Sequence, residues 1–223
     1  MDIRQSVFKA IARQFRRPSG FAGYLAGVVM ATRSSNRERS HWTLELLDLQ
    51  PSDRVLEIGF GPGIALERAS SIVTDGLVAG VEYSRTMLRS ASRRNRREIA
   101  GGRVKLYLSS AEEFAIPGGP FDKIYSVNVV QFWPDPGVVF KRLRANLAPA
   151  GIVATTYQPR NPGATDRDAR AKGEELARLL ADAGLPYARI ELLALKPAAV
   201  CVLAGLRPLG STKIDRPETE VTH

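Results

Sequence analysis

The chain has 223 residues, 44% of them hydrophobic and 25% charged, which suits one ordinary globular domain with a sizeable core. A single cysteine, Cys201, excludes an internal disulfide, and its neighbours Ala198 to Leu203 read as the surroundings of a buried small hydrophobe rather than of a nucleophile. The 32 Lys and Arg against 23 Asp and Glu leave a net charge of +9, compatible with nucleic acid, an anionic surface, an acidic substrate or plain solubility.

In chain order, residues 2–17 are expected to form an amphipathic helix. Ile3, Val7, Ile11 and Phe15 recur every four residues, while Arg4, Lys9, Arg13, Arg16 and Arg17 populate other faces. Such a helix suits a lid, and a peripheral membrane contact stays open. The apolar stretch 20–31 is glycine-rich and well short of the roughly 20 residues of a spanning helix. Asp2, Arg4 and Lys9 argue against a secretory leader, so a cytoplasmic location is expected.

Ser35-Asn36-Arg37-Glu38 has the capping-box pattern and is expected to open a helix to about residue 49, with Trp42, Leu46 and Leu49 on its apolar face. From there strands and helices alternate. Residues 54–59 read as the first strand, followed by a glycine turn and a helix to about Val73. Strands follow at 77–82, 104–108, 121–127 and 151–156, with helices capped by Ser84 and spanning 136–147 between them. After a polar loop from Gln158 to about Asp168 comes a helix closed by Gly184. Two apolar runs, 187–195 and 198–206, are then separated only by Lys196-Pro197, a connection short enough for an antiparallel hairpin. Helix-length segments between strands imply parallel pairing and a doubly covered α/β sheet.

Three glycines, Gly59, Gly61 and Gly63, stand where the first strand meets its helix, the edge at which open α/β sheets bind ligands. Their G-x-G-x-G spacing, with Pro62 inside and Glu57 two residues ahead, departs from the G-x-G-x-x-G of dinucleotide sites and disfavours a nicotinamide-dependent oxidoreductase. Glu82 ends the second strand, where a carboxylate can accept hydrogen bonds from a ribose diol. Charge-assisted bonds of that kind contribute roughly 1.5–3 kcal/mol each.

Through Val55 to Gly63, Gly80-Val81-Glu82-Tyr83-Ser84 with Met87, Ser110-Ala111-Glu112, Phe121 to Ile124 and Leu143 to Gly151, the chain resembles the class I S-adenosylmethionine-dependent methyltransferases. The likeness is to their small-molecule branch with its ubiquinone- and menaquinone-type enzymes. It covers about residues 35 to 160 and departs at Ala150, where the family usually has glycine. The resemblance implies a doubly wound, Rossmann-like sheet of seven strands with a reversed last strand, and S-adenosylmethionine as cofactor. It implies that Glu57 and the backbone of Gly59, Phe60, Gly61 and Gly63 hold the methionine end and that Glu82 binds the ribose. Tyr83 and Met87 would flank the adenine, Ala111 and Glu112 would meet its edge, and Asn128 would line the junction of cofactor and acceptor.

Phe21, Tyr24, Gln131 and Trp133 are candidate lining residues for a partly apolar small acceptor, and His41, Tyr24 and Tyr157 are candidate bases. No metal is expected. The expected organisation is a lid segment 1–34, a methyltransferase domain 35–207 and a flexible tail 208–223. Two other functions stay open. One is an RNA methyltransferase holding phosphates with the basic helix 85–97, and the other is a non-catalytic S-adenosylmethionine-binding regulator. Nucleic acid is the disfavoured partner, because no RNA-binding module is appended and Asn128-Val129-Val130-Gln131 does not match the Asn/Asp-Pro-Pro-aromatic signature of exocyclic-amine methylases.

Overall fold

Helix α1 (Ser34–Leu47) leads into β1 (Arg54–Ile58), α2 (Ile64–Ile72), β2 (Leu77–Glu82), α3 (Arg85–Arg94), α4 (Arg96–Ala100) and β3 (Val104–Leu108) in the computed structural model, which describes residues 34–117 and 119–210. The chain continues through β4 (Phe121–Val127), a short 3₁₀ turn (Val130–Phe132), α5 (Pro136–Ala145), β5 (Leu147–Tyr157), α6 (Asp166–Asp182), β6 (Tyr187–Leu193) and β7 (Ala199–Gly205). The expected helix 2–17, the candidates Phe21 and Tyr24, and the tail beyond residue 210 lie outside the described residues.

The strands form one seven-stranded sheet in the order β3-β2-β1-β4-β5-β7-β6. The first five pair in parallel, and β7 runs antiparallel to both β5 and β6, which is the terminal hairpin expected from the tight Lys196-Pro197 connection. Strand order reverses between β1 and β4, so the crevice at their carboxyl ends is the place for a ligand.

Alternation along each strand divides the core between two faces. Val55, Val78 and Tyr125 meet Trp42, Leu46, Leu66 and Ala91 on the side of α1, α2 and α3. Leu56, Ile124, Val153 and Val202 meet Phe140, Leu143, Leu176 and Leu180 of α5 and α6 on the other. Cys201 is fully buried, and burial pushes its thiol up to about 12, which leaves it inert as a nucleophile.

Three boundaries differ from the sequence expectation. Helix α1 already runs at Ser34, so the expected cap Ser35 stands inside it. The helix after Ser84 breaks at Asn95, whose side chain turns to bond the carbonyls of Ala91 and Gly63. Helix α5 stops at Ala145 because Asn146 Nδ2 donates to the Arg142 carbonyl, and β5 starts immediately afterwards, four residues early. Among the described residues no helix is long and apolar enough to cross a membrane.

Candidate functional site

Strand β1 delivers Glu57 and the glycine turn to the crevice beside β4. Gly59, Gly61 and Gly63 all have positive φ, at 73°, 52° and 81°. At Gly59 the need is also steric, since a Cβ there would lie 2.6 Å from Cγ1 of Val129, in the turn after β4. Gly61 is different: a Cβ at this position meets nothing within 4 Å. The apex of the turn therefore offers bare backbone to open space.

Two carboxylates stand behind this backbone. Glu82 is buried at the end of β2; its Oε2 accepts the Gly61 N–H at 3.1 Å and its Oε1 accepts the Ser84 N–H at 2.9 Å. One acid thus ties the glycine turn to the start of α3. Burial raises its proton affinity, partly offset by hydrogen bonds from the backbone of Ser84, Gly61 and Tyr83. Glu57 lies deeper, with Oε2 accepting the Tyr125 hydroxyl at 2.9 Å. Burial pushes Glu57 up to about 8; the Tyr125 bond opposes this and the charge of Glu82 adds to it. Two carboxylates desolvated side by side make a site that favours a cation.

The remaining sequence-selected positions divide clearly. Met87 is buried under the start of α3, and Tyr83 is 42% exposed beside it. Glu112 has a buried Oε1 with no hydrogen-bond partner among the described residues, a polar atom that an arriving N–H donor would satisfy. Ala111 packs on the core cluster beneath α5. Asn128 takes a left-handed φ of 55°, and its Oδ1 accepts the Gln158 N–H at 2.8 Å, joining the ends of β4 and β5. Phe60 offers only its backbone to the turn, because its ring is buried where a Cβ on Gly80 would come within 2.5 Å of Cδ1.

Gln131 is exposed and donates to the Asn128 carbonyl at 2.7 Å. Trp133 is half-buried and packs edge-on against Phe140, centroids 5.6 Å apart. His41 is exposed and lines a groove of about 190 Å³ with Leu44, Glu45, Asp48, Leu49, Arg68 and Ile72, none of them a glycine-turn residue. Tyr157 is half-buried, and burial together with Asp168 and Glu175 raises its phenol above the ordinary value, which opposes a role as base. The six arginines of residues 85–97 are all exposed, and Arg94 pairs with Glu67 at 3.1 Å.

Sequence reasoning passed over three residues that shape the site. Asn95 is fully buried and holds the Gly63 carbonyl at 3.2 Å; its one signal is to be the lone amide in an arginine run. Tyr125 supports Glu57, and Gln158 supports Asn128. Neither has a local signature, since each acts on a residue far away in the chain.

The methyltransferase domain family matches residues 55–151. The uncharacterized methyltransferase YdaC of Bacillus subtilis (strain 168) is 31% identical over 181 residues, which cover 81% of this chain and 97% of that protein. The chain belongs to the class I S-adenosylmethionine-dependent methyltransferases. A SAM-dependent methyltransferase from Aquifex aeolicus shares the fold, with a TM-score of 0.64 over 79% of this chain and 95% of its own at 19% identity. A trans-aconitate 2-methyltransferase of Variovorax paradoxus (strain S110) is 30% identical over 141 residues, 62% of this chain and 52% of that enzyme.

S-adenosylmethionine is the cofactor of this methyltransferase, and the residues fit it. The open apex at Gly61 admits a ligand against bare backbone, and the desolvated pair Glu57 and Glu82 suits a molecule carrying a sulfonium and an ammonium. Gly61→Ala separates fold from binding. The left-handed backbone costs roughly 1–2 kcal/mol with a side chain, and the added methyl would fill the open space at the apex of the turn, which a cofactor bound there would need. Calorimetric titration should show cofactor affinity reduced about tenfold or more, with a thermal midpoint only a few degrees lower (about 2–4 °C per kcal/mol at this size).

Proposed function

We propose that this methyltransferase transfers the methyl group of S-adenosylmethionine to a small, partly apolar acceptor by in-line displacement. When bound, the cofactor supplies a methyl group already activated on a sulfonium. The chain then has to bind, orient and exclude water, a proximity effect. In this reading residues 35–207 carry the methyltransferase domain. Glu57 and the backbone of Gly59, Phe60, Gly61 and Gly63 hold the methionine end, and Glu82 accepts the ribose hydroxyls. Tyr83 and Met87 flank the adenine, Ala111 and Glu112 meet its edge, and Asn128 stands between cofactor and acceptor. Gln131 and Trp133 wall the acceptor side. The proposal assigns no general base; His41 lies in a separate groove and Tyr157 holds its proton too firmly.

The observation that carries the cofactor half is the Glu82 carboxylate bridging the Gly61 and Ser84 amides at the end of β2. The small acceptor is supported by relatives that bear such substrates in their names, a trans-aconitate 2-methyltransferase and a nocamycin O-methyltransferase of Saccharothrix syringae. A transfer assay with labelled methyl groups tests it, using a cell extract split into small-molecule, lipid, RNA and protein fractions. Label should appear among the small molecules. Label confined to RNA would install the arginine helix as a phosphate holder instead. No label in any fraction, with cofactor binding intact, would favour the regulatory alternative.

A further inference from the structure

The two ends of the sheet are built differently. At one end, β3 carries the exposed Lys105, and a lysine on an edge strand discourages pairing with another chain. At the other end, β6 has no lysine, proline or glycine. Its pairing with β7 runs from Tyr187↔Gly205 to Leu193↔Ala199 without a register shift, so no bulge bends the strand away. Tyr187 and Ile190 are 45% and 41% exposed on it, and among the described residues no strand lies beyond it.

The side chains of β6 alternate between the two faces of the sheet. Leu193 belongs to the core on the side of α1, which puts Tyr187, Arg189 and Glu191 on that face. Ile190 stands on the side of α6, where a Cβ on Gly173 would come 3.2 Å from its Cγ2, and Ala188 and Leu192 share that face. Turned about Ile190, the strand is its own complement. Arg189 falls opposite Glu191, Ala188 opposite Leu192 and Tyr187 opposite Leu193. Arg189 and Glu191 already attract each other within the chain, Nε to Oε1 at 2.9 Å, and Arg189 Nη1 donates to the Gly210 carbonyl at 2.7 Å. Both side chains still reach the surface, at 24% and 37% exposure.

This complementarity holds in one register. Slipping the copies by one residue either way sets Arg189 against Arg189 or Glu191 against Glu191, and like charges directly opposite are destabilising. Turning one copy over would bring the α1 side of one sheet level with the α6 side of the other. Space permits the favoured register. With strands about 4.8 Å apart, β6 would lie about 2.4 Å and β7 about 7 Å from a two-fold axis through Ile190. Gly173 of α6 sits against Val200 of β7 and Ile190 of β6. The two copies of α6 would thus stand on the order of 10 Å apart, the separation of packed helices and not of colliding ones.

We propose that β6 pairs antiparallel with β6 of a second copy of this chain, about a two-fold axis through Ile190, so that two sheets become one. Arg189 of each copy then meets Glu191 of the other, and Ile190 meets Ile190. The glycine turn and its carboxylates come from β1 and β2, several strands away, so cofactor binding does not depend on the pairing.

Light scattering over a concentration series of the full-length chain should show a dimer. Arg189→Glu and Glu191→Arg each set like charges opposite in both cross-strand pairs, and each should weaken self-association about tenfold or more. An equimolar mixture of the two variants restores opposite charges across the interface and should dimerise as the wild type does. Within each chain of that mixture the two positions still carry like charges, so only pairing between chains can produce the rescue. S-adenosylhomocysteine affinity should be unchanged in both variants, which also shows that they fold. Ile190→Cys should give a disulfide-linked dimer on oxidation, because its two copies meet on the axis, while Ala188→Cys, also exposed, should not; the buried Cys201 does not compete. A wild type that stays monomeric at its highest soluble concentration would overturn the proposal. So would single variants that dimerise as well as wild type, a mixture that stays monomeric, or equal linkage through positions 188 and 190. Dimers that form only when the chain is cut after Gly210 would overturn it too, with the chain's own last residues as the occupant of the edge.

Discussion

Glu82→Ala is expected to weaken S-adenosylmethionine binding by at least tenfold, and by up to a hundredfold or more if both ribose bonds are lost. Glu82 is 8% exposed and its carboxylate is already oriented by the Gly61 and Ser84 amides, so in the proposed reading it would meet a ribose diol with little further ordering. Two charge-assisted bonds at roughly 1.5–3 kcal/mol each exceed the tenfold threshold of about 1.4 kcal/mol even if one is half lost to water. The same substitution frees the Gly61 amide, so the turn loses its tie to α3 as well. Calorimetric titration against S-adenosylmethionine, with circular dichroism to confirm the fold, decides the matter. An unchanged affinity in a folded variant would refute the ribose assignment.

Glu57→Gln is expected to act in opposite directions on stability and on binding. Burial pushes Glu57 up to about 8, against an ordinary value of 4.5. The folded chain therefore holds a proton that the unfolded chain releases between those values. Stability is fully present below about 4.5 and declines as pH rises through about 8, because the unfolded state binds fewer protons across that window. A neutral amide of the same shape can still accept the Tyr125 hydroxyl and carries no such penalty. The cofactor-free variant should melt on the order of 5 °C above wild type at pH 8, and the two should converge near pH 5. Cofactor affinity should move the other way. In the wild type it should rise between pH 6 and pH 8 as the carboxylate ionises against the cationic ligand; in the variant it should be lower and flat. A variant that melts below wild type at pH 8, with its pH dependence unchanged, would mean that Tyr125 and Glu57 share their proton in a way the raised carboxyl does not describe.

These two acids also show how far the site was legible before the fold was known. Glu57 and Glu82 could be selected because each ends a short apolar run beside a glycine turn or a helix cap, a signal contained within a dozen residues. What sets the proton affinity of Glu57 is not local. Burial raises it, and Tyr125, whose hydroxyl opposes the rise, stands 68 positions away and reaches it because β1 and β4 pair in register, Glu57 opposite Tyr125. Nothing in the residues around Tyr125 distinguishes it from any other core tyrosine.

The basic segment makes the converse point. Its arginines dominate the sequence, but in the fold they lie exposed on α3 and α4; Arg94 reaches the Pro62 carbonyl of the glycine turn from the surface, while the buried residue that holds the Gly63 carbonyl is the uncharged Asn95. Arg39 gave no signal at all, one arginine among several near a helix start, yet it is fully buried. Its partner Gln158 lies more than a hundred residues downstream.

The resemblance of its motifs to a known family implied the adenosyl cofactor, and the sequence by itself determined the strand and helix alternation, the terminal hairpin and the glycine turn. These last three rest on the spacing of residues close together in the chain, where backbone conformation and side-chain periodicity are set by neighbours. Only the tertiary structure decided how deeply each acid is desolvated, which asparagine holds the glycine turn, and that Arg39 is buried against Gln158. Those arrangements depend on the order and register of strands far apart in sequence, and the energies that govern them, desolvation and charge pairing, exist only once the strands have packed.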